Sequence, residues 1–436
     1  MPSDKINRRA FLQGATAASL ALGLSGGTAG LHGRSSEEKP VRLGFVGVGN
    51  RGTTLLRETL SLENVEVPAL CDINEKHLGR AQRVVERSGR KKPEGYSRGP
   101  EDFHRMMERD DLDAIVTATP WNLHTPVMLA AMEAGKYAAT EVPAAVTLDE
   151  CWQLVETSER TGMPCMMLEN YCYFRNVMAV LNMVQQGLFG ELVHCETGYQ
   201  DDIRFYKFGP DGKLTYYGKH SAERDGNLYP THAIGPVAWW TGINRGDRFT
   251  YLVSMSSKSV GLNHYISNKI GPEHPNAKRK YACGDVNTTL IRTEKGLTVT
   301  LYYNTNLTRP FDMIYRIQGT GGIYQGTLNK ICLEGESHQQ HTWEEFESYY
   351  EKYDHPLWKK YGQGATRRGT HPEMHQFVHS VRHKVEPPID VYDSATWSAI
   401  SQLTEQSVAG RSKAVDFPDF TRGKWKQERP LRFYGI

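Results

Sequence analysis

Short apolar runs alternate with amphipathic stretches through the first part of the chain. Residues 41–46 (Val-Arg-Leu-Gly-Phe-Val) are apolar and β-branched, the profile of a strand buried in a parallel sheet. A glycine-rich turn and a helical pattern over 53–62 follow directly. Similar runs at 65–72, 113–120, 136–143 and 163–170 repeat the unit, each separated by residues with helical spacing. The pattern predicts an α/β fold whose first domain, 40–170, is a doubly wound parallel Rossmann sheet. After Glu191 the texture changes. Long strand-like stretches at 192–199, 249–255, 288–292, 297–303 and 313–318 have fewer helices between them. They predict a second, α+β domain over 171–390, built on an open and largely antiparallel sheet. Helical spacing returns at 394–409, with Asp393 placed as its cap and Gly410 as its stop. The segment 391–436 is expected to pack this helix and a tail back on the first domain.

Composition narrows the class. The 436 residues carry 52 Lys and Arg against 50 Asp and Glu, a net charge of +2, so no basic excess points to nucleic acid. Hydrophobic residues at 39% and charged residues at 23% suit a folded globular protein. The apolar runs fall short of the ~20 residues that span a bilayer. Seven cysteines, an odd number without a close pair, support neither a disulfide framework nor a zinc ribbon. The start of the chain has its own logic. Asn7-Arg8-Arg9-Ala10-Phe11-Leu12 places paired arginines before a weakly apolar stretch, and small residues follow at 27–30. This reads as a twin-arginine export signal over 1–30, which predicts a periplasmic or extracellular protein of bacterial type. That route carries folded proteins, so a cofactor loaded before export is expected.

Gly47-Val48-Gly49-Asn50-Arg51-Gly52 sits where the first strand ends and the first helix opens. In that context GxGxxG is a dinucleotide loop: Gly47 for the tight turn, Gly49 for the approach of a pyrophosphate, Gly52 for close packing of helix on strand. The second strand ends at Asp72, 25 residues after Gly47, where a carboxylate accepts from ribose hydroxyls and repels a 2′-phosphate. The pattern predicts NAD. Strand ends in such a sheet line the ligand crevice, which gathers Trp121-Asn122-Leu123-His124, Glu141, Val142 and Asn170 on the rim of the glycine loop.

The glycine loop, the rim Glu-x-Pro of Glu141 to Pro143 and the C-terminal open sheet together resemble the glucose-fructose oxidoreductase/inositol dehydrogenase superfamily. Typical members have Glu-Lys-Pro at the rim, with the lysine assisting proton transfer; Val142 cannot do acid–base work. Finer motifs are similar to glycoside hydrolase family 109, the NAD-dependent α-N-acetylgalactosaminidases. They are Gly49-Asn50-Arg51-Gly52, Trp121-x-x-His124, Glu141-Val142-Pro143-Ala144, Glu169-Asn170, Gly198-Tyr199 and Gly226-Asn227-Leu228-Tyr229-Pro230-Thr231-His232. The resemblance implies NAD contacts from Asn50, Arg51, Asp72, Trp121, Asn122, Leu123, His124, Glu141, Val142 and Asn170. It implies sugar contacts from Tyr199 and from Tyr229, Pro230, Thr231 and His232. At three places the chain departs from the family. Tyr217 stands where the family has a substrate arginine, and Phe311 where it has a tyrosine. Its Gly-His-Gly-Gly loop is unmatched, the nearest stretch being Arg368-Gly369-Thr370-His371-Pro372.

The resemblance implies a glycosidase that oxidises the sugar at C3, eliminates the aglycone, adds water and re-reduces C3, an exception to the two-carboxylate rule. His232 is then the candidate general base for the C3 hydroxyl. Tyr199 is the candidate for the C2 proton or the leaving group, given a phenol pKa lowered by its neighbours. Tyr229 orients the substrate, and His124 is expected on the nicotinamide side. Tyr217 and Phe311 complete the expected sugar site. Glu196, Asp201 and Asp202 flank Tyr199, but no second ligand set at fixed spacing supports a metal. Two alternatives stay open at this level: a net sugar oxidoreductase, and a sugar-binding protein without catalysis. The expected partner is a small-molecule or glycan substrate, with a homo-oligomer possible.

Overall fold

The computed structural model describes residues 39–337, 339, 341–362, 369–427 and 429–436. The expected export signal lies outside the described residues. Six strands form the first sheet: β1 (Val41–Val46), β2 (Val65–Cys71), β3 (Glu94–Tyr96), β4 (Ala114–Thr117), β5 (Tyr137–Thr140) and β6 (Cys165–Met167). All pairings are parallel, in the order β3-β2-β1-β4-β5-β6. The order reverses beside β1, so a crevice opens at the carboxyl ends of β1 and β4. Helices α1 (Asn50–Leu60), α2 (Glu75–Arg87), α3 (Phe103–Met107), α4 (His124–Glu133) and α5 (Leu148–Thr161) connect these strands.

After α6 (Arg175–Gln185) the chain builds the second sheet. Its strands are β7 (Leu192–Gln200), β8 (Phe249–Ser256), β9 (Asn287–Thr293), β10 (Thr298–Asn304), β11 (Asp312–Gly319), β12 (Gly322–Gln325), β13 (Lys330–Leu333), β14 (Glu344–Glu345) and β15 (Val415–Asp416). The order is β14-β13-β12-β11-β7-β10-β9-β8-β15, antiparallel except where β7 and β10 run side by side. That parallel pair places Tyr303 directly beside Tyr199. Alternation does the sorting: on β10, Val299, Leu301 and Tyr303 are buried while Thr298, Thr300 and Tyr302 face outward.

Helices α7 (Arg204–Lys207), α8 (Tyr216–Glu223), α9 (Thr231–Thr241) and α10 (Gly261–Lys269) fall between β7 and β9. The last helices are α11 (Tyr350–Tyr353), α12 (Pro356–Tyr361), α13 (Thr370–His383) and α14 (Val391–Ala409). α14 packs against α5, β6 and β8, so one helix touches both sheets. Its serines make this close approach possible. Ser394 accepts from the Met167 N–H at 3.1 Å, Ser398 from Ala144 at 3.1 Å and Ser407 from Ser254 at 2.8 Å. These three hydroxyls thereby have partners, as burial demands. One expectation fails here. The cap of α14 is Asp390, which accepts from the Asp393 N–H, and the helix starts three residues before the expected turn. Asp393 is fully buried and bound to Arg245 and Asn244, so tertiary pairing claims the second acid. Among the described residues no helix is long and apolar enough to cross a membrane.

Candidate active site

The glycine loop has a separate physical reason at each glycine. Gly47 has φ +78°, and a Cβ there would lie 2.8 Å from the Ala118 backbone. A Cβ on Gly52 would come within 2.0 Å of the Gly47 carbonyl oxygen, so only glycine lets α1 start this close to β1. Gly49 is different: its nearest neighbour would be His77 at 3.8 Å, which leaves the space above the loop open. α1 begins behind it without a side-chain cap, and its first N–H groups remain available to an anion. At the end of β2, Asp72 accepts from the Val48 N–H at 2.9 Å and the Asn74 N–H at 2.8 Å. The carboxylate is thus pinned to the loop, with lone pairs left for a ribose. These residues fit a dinucleotide.

Asp72→Ala is expected to weaken NAD binding at least roughly 10-fold, because it removes the ribose acceptor and loosens Val48. Asp72→Asn isolates the charge: it should lose discrimination against NADP while keeping most of the affinity for NAD. Titrations of each variant with both dinucleotides check this. Unchanged selectivity in Asp72→Asn would place the discriminating group elsewhere.

Arg51 and Glu141, expected as separate cofactor contacts, are joined across the mouth of the crevice by a hydrogen bond from Arg51 Nε to Glu141 Oε1. Arg51 Nη1 also reaches the Thr370 hydroxyl at 3.4 Å, and Glu141 Oε2 accepts from the Val142 N–H at 3.3 Å. The Val142–Pro143 peptide is cis. Behind this pair, on α13, Glu373 is completely buried and neither of its oxygens has a partner among the described residues. Burial pushes its carboxyl well above the usual range, Arg51 pulls it down and the neighbouring Glu141 and Glu169 add to the rise.

His124 stands in the rim with its ring buried, Nδ1 at 2.7 Å from the Pro143 carbonyl and Nε2 at 2.8 Å from the Thr119 carbonyl. Burial favours the neutral ring, which carries one N–H and donates to one of the two carbonyls. The ring thus sits between the loop after β4 and the loop after β5 and is part of the cleft lining.

A cleft of about 700 Å³ opens from this rim toward the second sheet. Arg51, Trp121, Glu141, Val142 and Asn170 form one wall. Tyr199 from β7, Tyr216, Tyr217 and His220 from α8, Tyr229 and His232 at the start of α9, Tyr303 from β10 and Phe311 form the other. The rings make a continuous aromatic lining. Trp121 stacks on Tyr229 at 5.6 Å and meets Tyr217 edge-on at 5.2 Å; Tyr199 meets Tyr229 at 5.2 Å. Such walls suit the C–H faces of a sugar, with few polar groups to fix its orientation.

The one histidine of this lining with a carboxylate partner is His232. Its Nδ1 lies 2.6 Å from Oε1 of Glu169, which is fully buried at the end of β6. An N–H at Nδ1 donates to the carboxylate and leaves Nε2 as the nitrogen turned to the cleft. Tyr171 covers the ring at 4.1 Å, and Tyr315 donates to the His232 carbonyl at 2.5 Å. Backbone, ring and partner are all fixed, the arrangement of a base with its orienting acid.

Several expectations change in three dimensions. Burial first, then Tyr171, Asp201, Tyr303 and Tyr217, push the Tyr199 phenol up rather than down, so it remains an O–H donor at neutral pH. Burial likewise raises Tyr217 and Tyr229. Pro230 and Thr231 are buried in the start of α9 and do not line the cleft. Phe311 stands at the rim, 53% exposed. Asn122 is exposed and Leu123 half-buried, both away from the cleft lining. Asp202 is bound to Arg204 at 2.7 Å, and Glu196 is bound to Arg316. Sequence reasoning assigned no role to Glu169, Lys207 or Tyr303. Only Glu169 carried a signal, as a strand-end acid beside Asn170.

The comparisons divide the chain as the two sheets do. A family model described as "Oxidoreductase family, NAD-binding Rossmann fold" matches residues 41–169, and one described as "Glycosyl hydrolase 109, C-terminal domain" matches 173–427. A glycosyl hydrolase family 109 protein of Stenotrophomonas maltophilia is 43% identical, the match covering 90% of this chain and 92% of that one. One of Shewanella sp. is 40% identical over 99% of both. Among solved structures, levoglucosan dehydrogenase in complex with NADH superposes with a TM-score of 0.68 at 19% identity, covering 87% of this chain and all of that one. An inositol dehydrogenase homologue of Azotobacter vinelandii complexed with NAD⁺ gives 0.66 at 17% identity, covering 87% and 98%. The two structures share the fold.

Proposed function

The chain belongs to glycosyl hydrolase family 109, and from that premise we propose that it hydrolyses terminal hexosamine glycosides, N-acetylgalactosaminides first among them, through transient oxidation of the sugar at C3. It is a glycosidase that uses NAD. The observation that carries the proposal is the buried His232–Glu169 pair opening into an aromatic cleft. When bound, NAD⁺ supplies the reversible two-electron oxidation of a sugar carbinol. Gly47, Gly49, Gly52 and Asp72 would hold it at the crevice.

His232 Nε2 takes the C3 hydroxyl proton while Glu169 stabilises the imidazolium that forms. With C3 as a ketone, the C2 hydrogen becomes acidic, and its loss as a proton to solvent water expels the aglycone from C1. Tyr199, kept as a phenol by its burial, donates a hydrogen bond to the departing oxygen, which takes up a proton from solvent. Water then adds across the double bond, hydroxyl at C1 and proton at C2, and re-reduction of C3 would return the starting state. Trp121, Tyr217 and Tyr229 pack against the sugar throughout. Val142 adds no acid or base at the rim, so proton transfer falls to His232. The paired-arginine leader supports the same cycle, since a cofactor restored at every turnover needs no replenishment after export.

The test is cleavage of nitrophenyl glycosides in deuterated water by protein with no added NAD. The expected result is nitrophenol release without net NADH absorbance, and deuterium at C2 of the released sugar. Released sugar with no C2 deuterium overturns the elimination. Stoichiometric NADH would make the protein a net sugar oxidoreductase instead.

A further inference from the structure

Lys207 ends α7 with its side chain buried behind the cleft, which it helps to line. Its ammonium donates to Thr305 Oγ1 at 2.8 Å and to Asn306 Oδ1. Thr305 in turn donates to the Tyr303 phenol oxygen at 2.9 Å. Both Thr305 and Asn306 are fully buried, so the path from cation to phenol is dry.

The chain has a direction. A lysine ammonium only donates, so Thr305 accepts from Lys207, and the Thr305 O–H donates on to Tyr303. The phenol oxygen of Tyr303 then acts as acceptor toward Thr305, and its own O–H must point elsewhere. No described residue accepts it. Tyr303 lines the sugar cleft, packed among Leu228, Cys283 and Tyr229 and beside Tyr199 on the neighbouring strand. A donor backed by a cation through a continuous hydrogen-bonded chain is stronger than an isolated phenol, because each bond polarises the next.

We propose that Lys207, Thr305 and Tyr303 form a donor relay that delivers the Tyr303 O–H to an oxygen of the bound sugar. Tyr303 is the substrate-contacting member; Lys207 and Thr305 are positioning residues that act through it. The inference rests on the glycosidase reading for its substrate class, a pyranose with acceptor oxygens on the sheet side of the cleft. The relay gives the aromatic cleft a directional polar contact on its sheet side, across from Arg51, Glu141 and Asn170 on the rim.

The relay also has a pH signature. Burial pulls the Lys207 ammonium down to about 8, opposed by Cys283, Asp285 and Asp202. Burial holds the Cys283 thiol up at about 11, while Asp202 is paired to Arg204. Tyr303 faces Cys283, Arg224 and Tyr217 besides Thr305, and its own phenol is raised by burial. As pH rises through about 8 the cation loses its proton, and the charge that backs the Thr305 to Tyr303 bond is lost. Sugar affinity should fall over that window.

The experiment uses full-length NAD-loaded protein. Tyr303→Phe removes one oxygen and keeps the ring, so folding is preserved and NAD affinity should equal wild type. Its affinity for free hexosamine, measured by calorimetry, should fall roughly 10- to 100-fold, the size expected for one charge-backed hydrogen bond. kcat/KM on the nitrophenyl glycoside should fall by a similar factor. Wild type should lose sugar affinity above about pH 8, while Tyr303→Phe and Lys207→Met should lack that limb. Wild-type sugar affinity and an unchanged alkaline limb in Tyr303→Phe overturn the relay. A protein that binds sugar but releases no nitrophenol would refute the glycosidase reading alone, since calorimetry still decides the relay.

Discussion

Replacing His232 with alanine is expected to slow glycoside cleavage by about 10²–10⁴-fold, the range for loss of a general base. The side chain offers one reactive atom, Nε2, because Nδ1 is committed to Glu169 at 2.6 Å. Tyr171, Tyr199 and Tyr229 surround the ring, so no second base stands ready to replace it. Glu169→Gln should cost a comparable factor for a different reason. A glutamine oxygen still accepts from Nδ1, but the negative charge that stabilises the imidazolium is gone, and the amide can turn to fix the wrong tautomer. In both variants NAD binding should be retained, because neither residue touches the glycine loop. C2 deuterium incorporation by free sugar should fall in parallel with cleavage, since both wait on oxidation at C3. Cleavage within about threefold of wild type in His232→Ala would remove His232 from the chemistry. Lost cleavage with undiminished exchange would move it to a later step.

The cofactor half was readable because its reasons are local. Gly47 needs a positive φ, Gly52 needs contact with a carbonyl five residues away, and Asp72 closes the second strand. Each requirement is met within one strand–turn–helix–strand unit, the range over which spacing carries information. The catalytic half depends on long-range placement. His232 stands in a recognisable motif, yet its partner lies 63 residues earlier at the end of β6. Tyr303 meets Tyr199 because β7 and β10 pair in parallel inside an antiparallel sheet, and no alternation of apolar residues announces that exception. The place of His124 between two loops is equally invisible, because its neighbours are two backbone carbonyls, and a backbone acceptor leaves no mark in the sequence. Asp393 reads as a cap in the sequence because two acids stand three residues apart, and only the fold shows Asp390 capping the helix while Asp393 is turned to Arg245 and Asn244. The Tyr199 phenol followed the same rule: ring neighbours were visible as residues, but their joint exclusion of water was not.

Gly52→Ala is expected to abolish cofactor retention and to destabilise the protein together. The added Cβ would sit 2.0 Å from the Gly47 carbonyl oxygen and 3.0 Å from its carbon, closer than non-bonded atoms approach. The obstacle is backbone, in a turn held by the Gly47 N–H to the Cys71 carbonyl at 2.8 Å, so it cannot swing aside as a side chain would. α1 must move away from β1, at a cost of about 1–3 kcal/mol for an overpacked contact, and its free N–H groups leave the site of the pyrophosphate. Gly49→Ala separates the two effects. Nothing lies nearer than 3.8 Å to that Cβ, although φ −64° with ψ −149° favours glycine, so in the absence of cofactor the protein should lose less stability than Gly52→Ala. The methyl group would nevertheless stand where the dinucleotide approaches, and NAD affinity should fall by roughly 10-fold or more. Thermal melts with and without NAD, beside a calorimetric titration, distinguish the cases. Gly52→Ala should lose both stability and binding; Gly49→Ala should lose mainly the stabilisation that NAD confers, which scales with its affinity. Gly49→Ala binding NAD as tightly as wild type would mean that the pyrophosphate does not cross above Gly49, and the geometry assigned to the loop would be wrong.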